Sequence, residues 1–202
     1  MNGGTCINKL LMYVCDCMPY YGGYNCEHAP FLVSRCPTST SGDITYQPDK
    51  WEKIAFRTNK DMYVVAICVH GDMTKTKETT FDITFRLRYP ETTTVIREKS
   101  GRYTISTDYT LKCPSLVPYF RLIAGTTYIA ELQVVGGDMT VNKRVGCYPD
   151  QEYDWGDALY PDETVHIWWF DVSASEQVDA GITNQNEGSV PVLKMQFTTV
   201  QT

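Results

Sequence analysis

Phe81-Asp82-Ile83-Thr84-Phe85-Arg86-Leu87-Arg88-Tyr89 alternates apolar and polar residues without a break. Successive side chains of a β-strand point to opposite faces. The stretch therefore places Phe81, Ile83, Phe85, Leu87 and Tyr89 on a buried face and Asp82, Thr84, Arg86 and Arg88 on a wet one. Runs of similar texture, rich in Val, Ile, Thr and aromatic residues, recur at 31–35, 52–57, 62–69, 80–89, 93–98, 102–106, 119–123, 127–135, 164–173 and 191–200. Turn residues punctuate them at His70-Gly71-Asp72, Ser100-Gly101, Ala124-Gly125, Gly136-Gly137-Asp138 and Glu187-Gly188. No stretch keeps a helical period over several turns. The pattern predicts an all-β protein with antiparallel strands, a sandwich or jelly roll.

An internal echo suggests how the strands are divided. Cys36-Pro37 is followed by Tyr63 and Gly71-Asp72-Met73-Thr74, and Cys113-Pro114 by Tyr128 and Gly137-Asp138-Met139-Thr140. Both tyrosines open strand-like runs. Two tandem sandwich modules, 30–112 and 113–202, are the expectation. One domain spanning both remains open, because the spacing from Cys-Pro to Tyr differs between the copies. Within modules the later cysteines pair most simply as Cys36 with Cys68 and Cys113 with Cys147, one of three possible arrangements. Leu122 stands six residues before Tyr128, at the head of an alternating run. This resembles the tyrosine corner of fibronectin type III and immunoglobulin-like sandwiches, which implies that the phenol caps backbone at a strand crossing.

The first residues have another texture. Cys6, Cys15, Cys17 and Cys26 crowd a stretch with no apolar periodicity, too small to build a core and so in need of covalent staples. Zinc is the competing reading, but structural zinc sites prefer two to four residues between paired ligands, whereas only Asp16 separates Cys15 from Cys17. The run Cys15, Cys17, Gly23, Cys26, with Pro19 and Tyr21, resembles the C-terminal half of an EGF-like module, covering residues 1–27. Tyr20 departs from the glycine usual in that family. The resemblance implies a Cys17–Cys26 bridge and an extracellular address. It also leaves Cys6 and Cys15 without their family partners. Either they pair with each other or the chain is a fragment of a longer product, and the fragment is the expectation. Met1-Asn2-Gly3-Gly4 has neither the basic nor the apolar part of a secretory leader, which agrees with it. Asn8 fits the family's β-hydroxylation pattern. Calcium at Asn8 is not expected, because the family's other ligands precede its first cysteine; a turn asparagine is the plain alternative.

Composition narrows the function. Lys+Arg of 18 against Asp+Glu of 24 gives a net charge of -6, the wrong sign for a nucleic-acid footprint. Between Val145 and Leu193 there is no Lys or Arg, while acids recur from Asp150 to Glu187. Such a stretch suits a basic partner, a divalent cation or simply a solvated acidic face. The longest apolar run, Tyr63 to Val69, is far short of the roughly 20 residues a spanning helix needs.

Chemistry has little to rest on. Histidine occurs at His28, His70 and His166 alone, and neither a nucleophile elbow nor a His-Glu-x-x-His pattern is present. The chain is expected to be non-enzymatic, with a secreted hydrolase the least favoured reading. Asp150, Glu152, Asp154 and Asp157 around Gly156 are the candidate calcium ligands, set against an exposed acidic loop. Trp155 and Trp168 are candidate sugar platforms. Trp168 and Trp169 are adjacent, so only one of them faces away from the core. The sequence thus predicts an extracellular, secreted, EGF-containing protein that binds other proteins in adhesion or host defence. A sugar-binding lectin, with calcium as its one conceivable cofactor, is the alternative. The partner is an extracellular protein or a glycan, not a nucleic acid.

Overall fold

In the computed structural model, which describes residues 5–9, 12–16, 31–33, 40–46, 50–69, 78–105, 112–135, 139–145, 150–153, 165–173, 175, 187–188 and 192–197, the alternating stretch is a strand. Among the described residues fifteen strands follow in order. They are β1 (Thr5–Lys9), β2 (Met12–Asp16), β3 (Phe31–Val33), β4 (Thr40–Tyr46), β5 (Trp51–Thr58), β6 (Met62–Cys68), β7 (Thr79–Arg88) and β8 (Val95–Ile105). The second half adds β9 (Ser115–Leu122), β10 (Thr127–Val135), β11 (Met139–Val145), β12 (Asp150–Tyr153), β13 (Val165–Phe170), β14 (Glu187–Gly188) and β15 (Val192–Phe197). The all-β, antiparallel expectation holds.

Two large sheets make the sandwich, one with the order β12-β13-β5-β10-β7-β8 and one with the order β3-β15-β6-β9. Their inward rows share one core. Ile54 and Phe56 of β5, Ile83, Phe85 and Leu87 of β7, Tyr128 and Leu132 of β10 and Trp169 of β13 pack in one cluster with Met62, Val64 and Ile67 of β6 and Leu122 of β9. The run Tyr63 to Val69 looked uniformly apolar because β6 is central and covered on both faces. A register shift between Val64 and Ala66 lets Met62 and Val64, then Ile67 and Val69, all join the main cluster.

The division into modules 30–112 and 113–202 is corrected by this topology. β10 lies between β5 and β7, and β15 between β3 and β6. Neither half owns a complete sheet, so neither could bury its faces alone. The echo around Tyr63 and Tyr128 reflects a shared environment: β6 and β10 are each an inner strand of their sheet. The pairing of Cys68 is corrected as well. Cys68 is bonded to Cys113, not to Cys36, and Cys113 not to Cys147. Cys113 just precedes β9, the neighbour of β6, and an isolated bridge with two hydrogen bonds of 2.9 Å between Val69 and Lys112 brings the two cysteines side by side. Cys36 and Cys147 lie outside the described residues.

Tyr128 behaves as the corner motif implies. Its hydroxyl accepts a hydrogen bond of 2.9 Å from the Ile123 backbone amide. The ring is buried against Phe56, Tyr89 and Phe120, and burial pushes the phenol above its usual range. The turn before it, with Gly125 in the left-handed region at φ 75°, is pinned from β5 and the turn that follows it. Gly125 donates to the Thr58 carbonyl, and Asp61 accepts from the Ala124 amide and the Arg121 guanidinium. Those donors hold the Asp61 carboxyl below its ordinary value. Tyr128→Phe is expected to lower stability by about 1–2 kcal/mol, read as a lower urea midpoint at unchanged slope.

Ser100-Gly101, expected to be a turn, lies inside β8 instead. The Tyr103 ring folds over Gly101, so close that an added Cβ would meet the phenol oxygen at 3.0 Å, and it meets Phe85 edge-on at 5.7 Å. An aromatic covering the glycine supplies the packing that glycine lacks, and the strand continues. At the edge β8 touches the other sheet, where Arg97 Nε donates to the Pro118 carbonyl of β9 at 2.8 Å. β9 is itself an edge strand, which is where a proline can be tolerated.

At the N-terminus β1 and β2 form a hairpin with Cys6 directly opposite Cys15 and Asn8 opposite Tyr13. Cys6 is disulfide-bonded. Cys17, Gly23 and Cys26 lie outside the described residues.

Candidate binding site on the six-stranded sheet

Registers across the large sheet put polar residues of four strands in one row on the face away from the core. Lys53 of β5 pairs with Glu131 of β10, Glu131 with Arg86 of β7, and Arg86 with Glu98 of β8. The signs alternate along the row, so each charge has opposite neighbours. Arg86 donates to Glu98 at 2.9 Å and lies 3.8 Å from Glu131, while Lys53 is 3.9 Å from the same carboxylate. In the adjoining row Arg88 reaches across to Glu131 at 2.6 Å and also donates to the Tyr89 and Thr92 carbonyls.

This centre is dry, contrary to the wet face expected for β7. Arg88 is only 6% exposed, Lys53 3% and Glu131 1%. Burial pushes the Glu131 carboxyl above the usual glutamate range, against the pull of Arg88, Lys53 and Arg86. The Arg86 guanidinium lies 4.0 Å from the centre of the Trp51 ring, a cation–π contact that holds both side chains. A cavity of about 640 Å³ opens beside these groups, with Trp51, Lys53, Arg86, Arg88, Glu131 and the β7–β8 turn in its wall. That turn contains Glu91 at φ 54°, a left-handed conformation uncommon outside glycine. A smaller cavity of about 260 Å³, also lined by Glu91, lies over Ala55, Ile129 and Phe170.

The sequence had pointed to the neighbouring end of the sheet. Trp168 is half-buried on the same outer face, opposite Arg57 and Asp150, whereas Trp169 is in the core, as adjacency required. The Trp168 ring is already occupied, stacked with His166 at 5.8 Å and approached by Arg57 at 5.1 Å. Of the candidate calcium ligands, Asp150 and Glu152 stand on β12 opposite Trp168 and His166. Asp154, Trp155 and Asp157 lie outside the described residues. Among the described residues no three metal-ligating side chains converge.

Lys53 and Glu131 are functional candidates that strand alternation alone does not single out. A partial signal was there: Glu131 is the one charge in the mainly apolar run 128–135, and Lys53 stands beside Glu52 in a strand that is otherwise apolar from Trp51 to Phe56; a charge so placed is buried only with a partner.

No protein-family model matches the chain. Over 78 residues, 36% of its length, the chain is 57% identical to the cadherin EGF LAG seven-pass G-type receptor 1 of Homo sapiens. Over 65 residues, 30% of its length, it is 35% identical to the receptor of the same name from Mus musculus. It spans 3% and 2% of those two receptors. No helix among the described residues is long and apolar enough to cross a membrane.

Proposed function

We propose that this chain is an extracellular, non-catalytic binding module from an adhesion protein, and that it contacts another extracellular protein. The observation that carries the reading is the 57% identity to a receptor whose name joins cadherin and EGF. The cysteine run from Cys15 to Cys26, with its EGF-like spacing, supports it. The Cys68–Cys113 bond is consistent, since such bonds persist in oxidising compartments. Adhesion is favoured over host defence because the names of both relatives include cadherin.

Beads coated with the 202-residue chain are expected to stay on cultured human cells and to be released when trypsin strips the cell surface of protein. Retention no better than that of albumin-coated beads, or retention indifferent to trypsin, would sink the reading.

A further inference from the structure

Glu131 Oε2 is buried and receives no hydrogen bond from any described residue; Arg86 Nη1 stands 3.8 Å from it, beyond hydrogen-bonding reach. A buried carboxylate oxygen left in that state is costly, and Glu131 lines the larger cavity. A donor brought in by a ligand would satisfy it. The same wall carries the Lys53 ammonium, the hydroxyls of Thr92, Thr93 and Ser175 and the Trp51 indole. Donors, acceptors and one flat apolar surface therefore converge in a space of about 640 Å³, inside the size range of small-ligand sites.

Charge decides the class of ligand. Lys53, Arg86 and Arg88 are matched by Glu91, Glu98 and Glu131, with Glu98 bound to Arg86 and Glu131 to Arg88. Among the described residues, with Glu98 counted beside the wall through its bond to Arg86, the centre carries no surplus charge to attract an anion or a cation. What fits is a neutral molecule whose own groups both donate and accept, on a stiff frame with an apolar face for the indole. We infer that this cavity is a binding site for a neutral saccharide unit. Its hydroxyls donate to Glu131 and accept from Lys53, and its carbon face lies against Trp51. The inference stands apart from the adhesion reading and places sugar recognition at Trp51, whose ring is met by Arg86, rather than at Trp168, whose ring is met by both Arg57 and His166.

The test is a nuclear magnetic resonance titration of the ¹⁵N-labelled full chain with glucose, galactose, mannose and N-acetylglucosamine, with sodium acetate as the charged comparison. At least one sugar is expected to shift the Trp51 indole and Glu131 amide signals saturably, and acetate to leave them in place. Trp51→Leu and Thr93→Val should each weaken binding about tenfold, the effect of losing one good contact; Thr93→Val, outside the ion pairs and the Arg86–Trp51 contact, should do so with unchanged melting temperature. Trp168→Leu should leave affinity as it was. Silence with all four sugars, a response to acetate alone, binding that survives both rim variants or binding that follows Trp168 would each overturn the inference. None of these outcomes bears on bead retention by surface protein.

Discussion

Arg88→Met is expected to lower stability at pH 8 by about 3–5 kcal/mol, the usual cost of removing one partner from a buried ion pair, and by less at pH 5. Arg88 holds Glu131 at 2.6 Å and satisfies the Tyr89 and Thr92 carbonyls. Methionine fills much of the volume and offers none of those bonds. The pH dependence follows from Glu131. Its folded-state carboxyl titrates above the ordinary value because burial outweighs the surrounding cations. In the interval between the unfolded and folded values the folded protein binds more protons, so stability falls as pH rises through that window. Removing Arg88 takes away the strongest opposing pull, so the interval widens and the fall steepens. Urea unfolding of both proteins at the two pH values checks this; an equal loss at both would show that packing, not the ion pair, carries the effect.

Removing the Cys68–Cys113 bond should cost about as much. It closes a loop with a sequence separation of 45, for which the chain-entropy relation gives about 4 kcal/mol. It also fastens the start of β9 beside β6, and β9 forms one edge of the smaller sheet. The double variant Cys68→Ala, Cys113→Ala is expected to keep the native spectrum but unfold at a much lower urea concentration. Non-reducing peptide mapping of the parent protein should recover the Cys68 and Cys113 peptides joined. Recovery of Cys68 with Cys36 would contradict the structure, and an unchanged midpoint in the double variant would remove the bond from the list of stabilising features.

The strands were legible wherever one face is buried and the other wet. β7 and β10 kept close to the limits that periodicity drew for them, and Tyr128 took its corner because a local spacing encodes a local hydrogen bond. What sequence did not reveal was order in space. β10 enters between β5 and β7 because of nonlocal pairing, and repeat-like texture in β6 and β10 suggested duplication where there is only a common environment. β4 and β11 are polar enough, with Gly42 in one and Asn142-Lys143-Arg144 in the other, that their pairing with each other leaves no hydrophobic signature. The site was missed for a related reason. Charges in a dry centre look like charges on a wet face until the register aligns Lys53, Glu131, Arg86 and Glu98 across four strands.

β8 has a consequence for life at high density. An open strand edge is a template on which a second chain can add a strand. On β8, Arg97 and Lys99 are registered with Leu87 and Phe85, in the core-side rows of the sheet, and Tyr103 closes over Gly101. A strand arriving alongside would have to bury those two charges at the margin of the core. The Arg97 guanidinium is tied to the edge of the opposite sheet as well. Crowded on a surface or strung beside other β domains, copies of this molecule are thereby protected from growing into fibres along β8, the longest strand among the described residues.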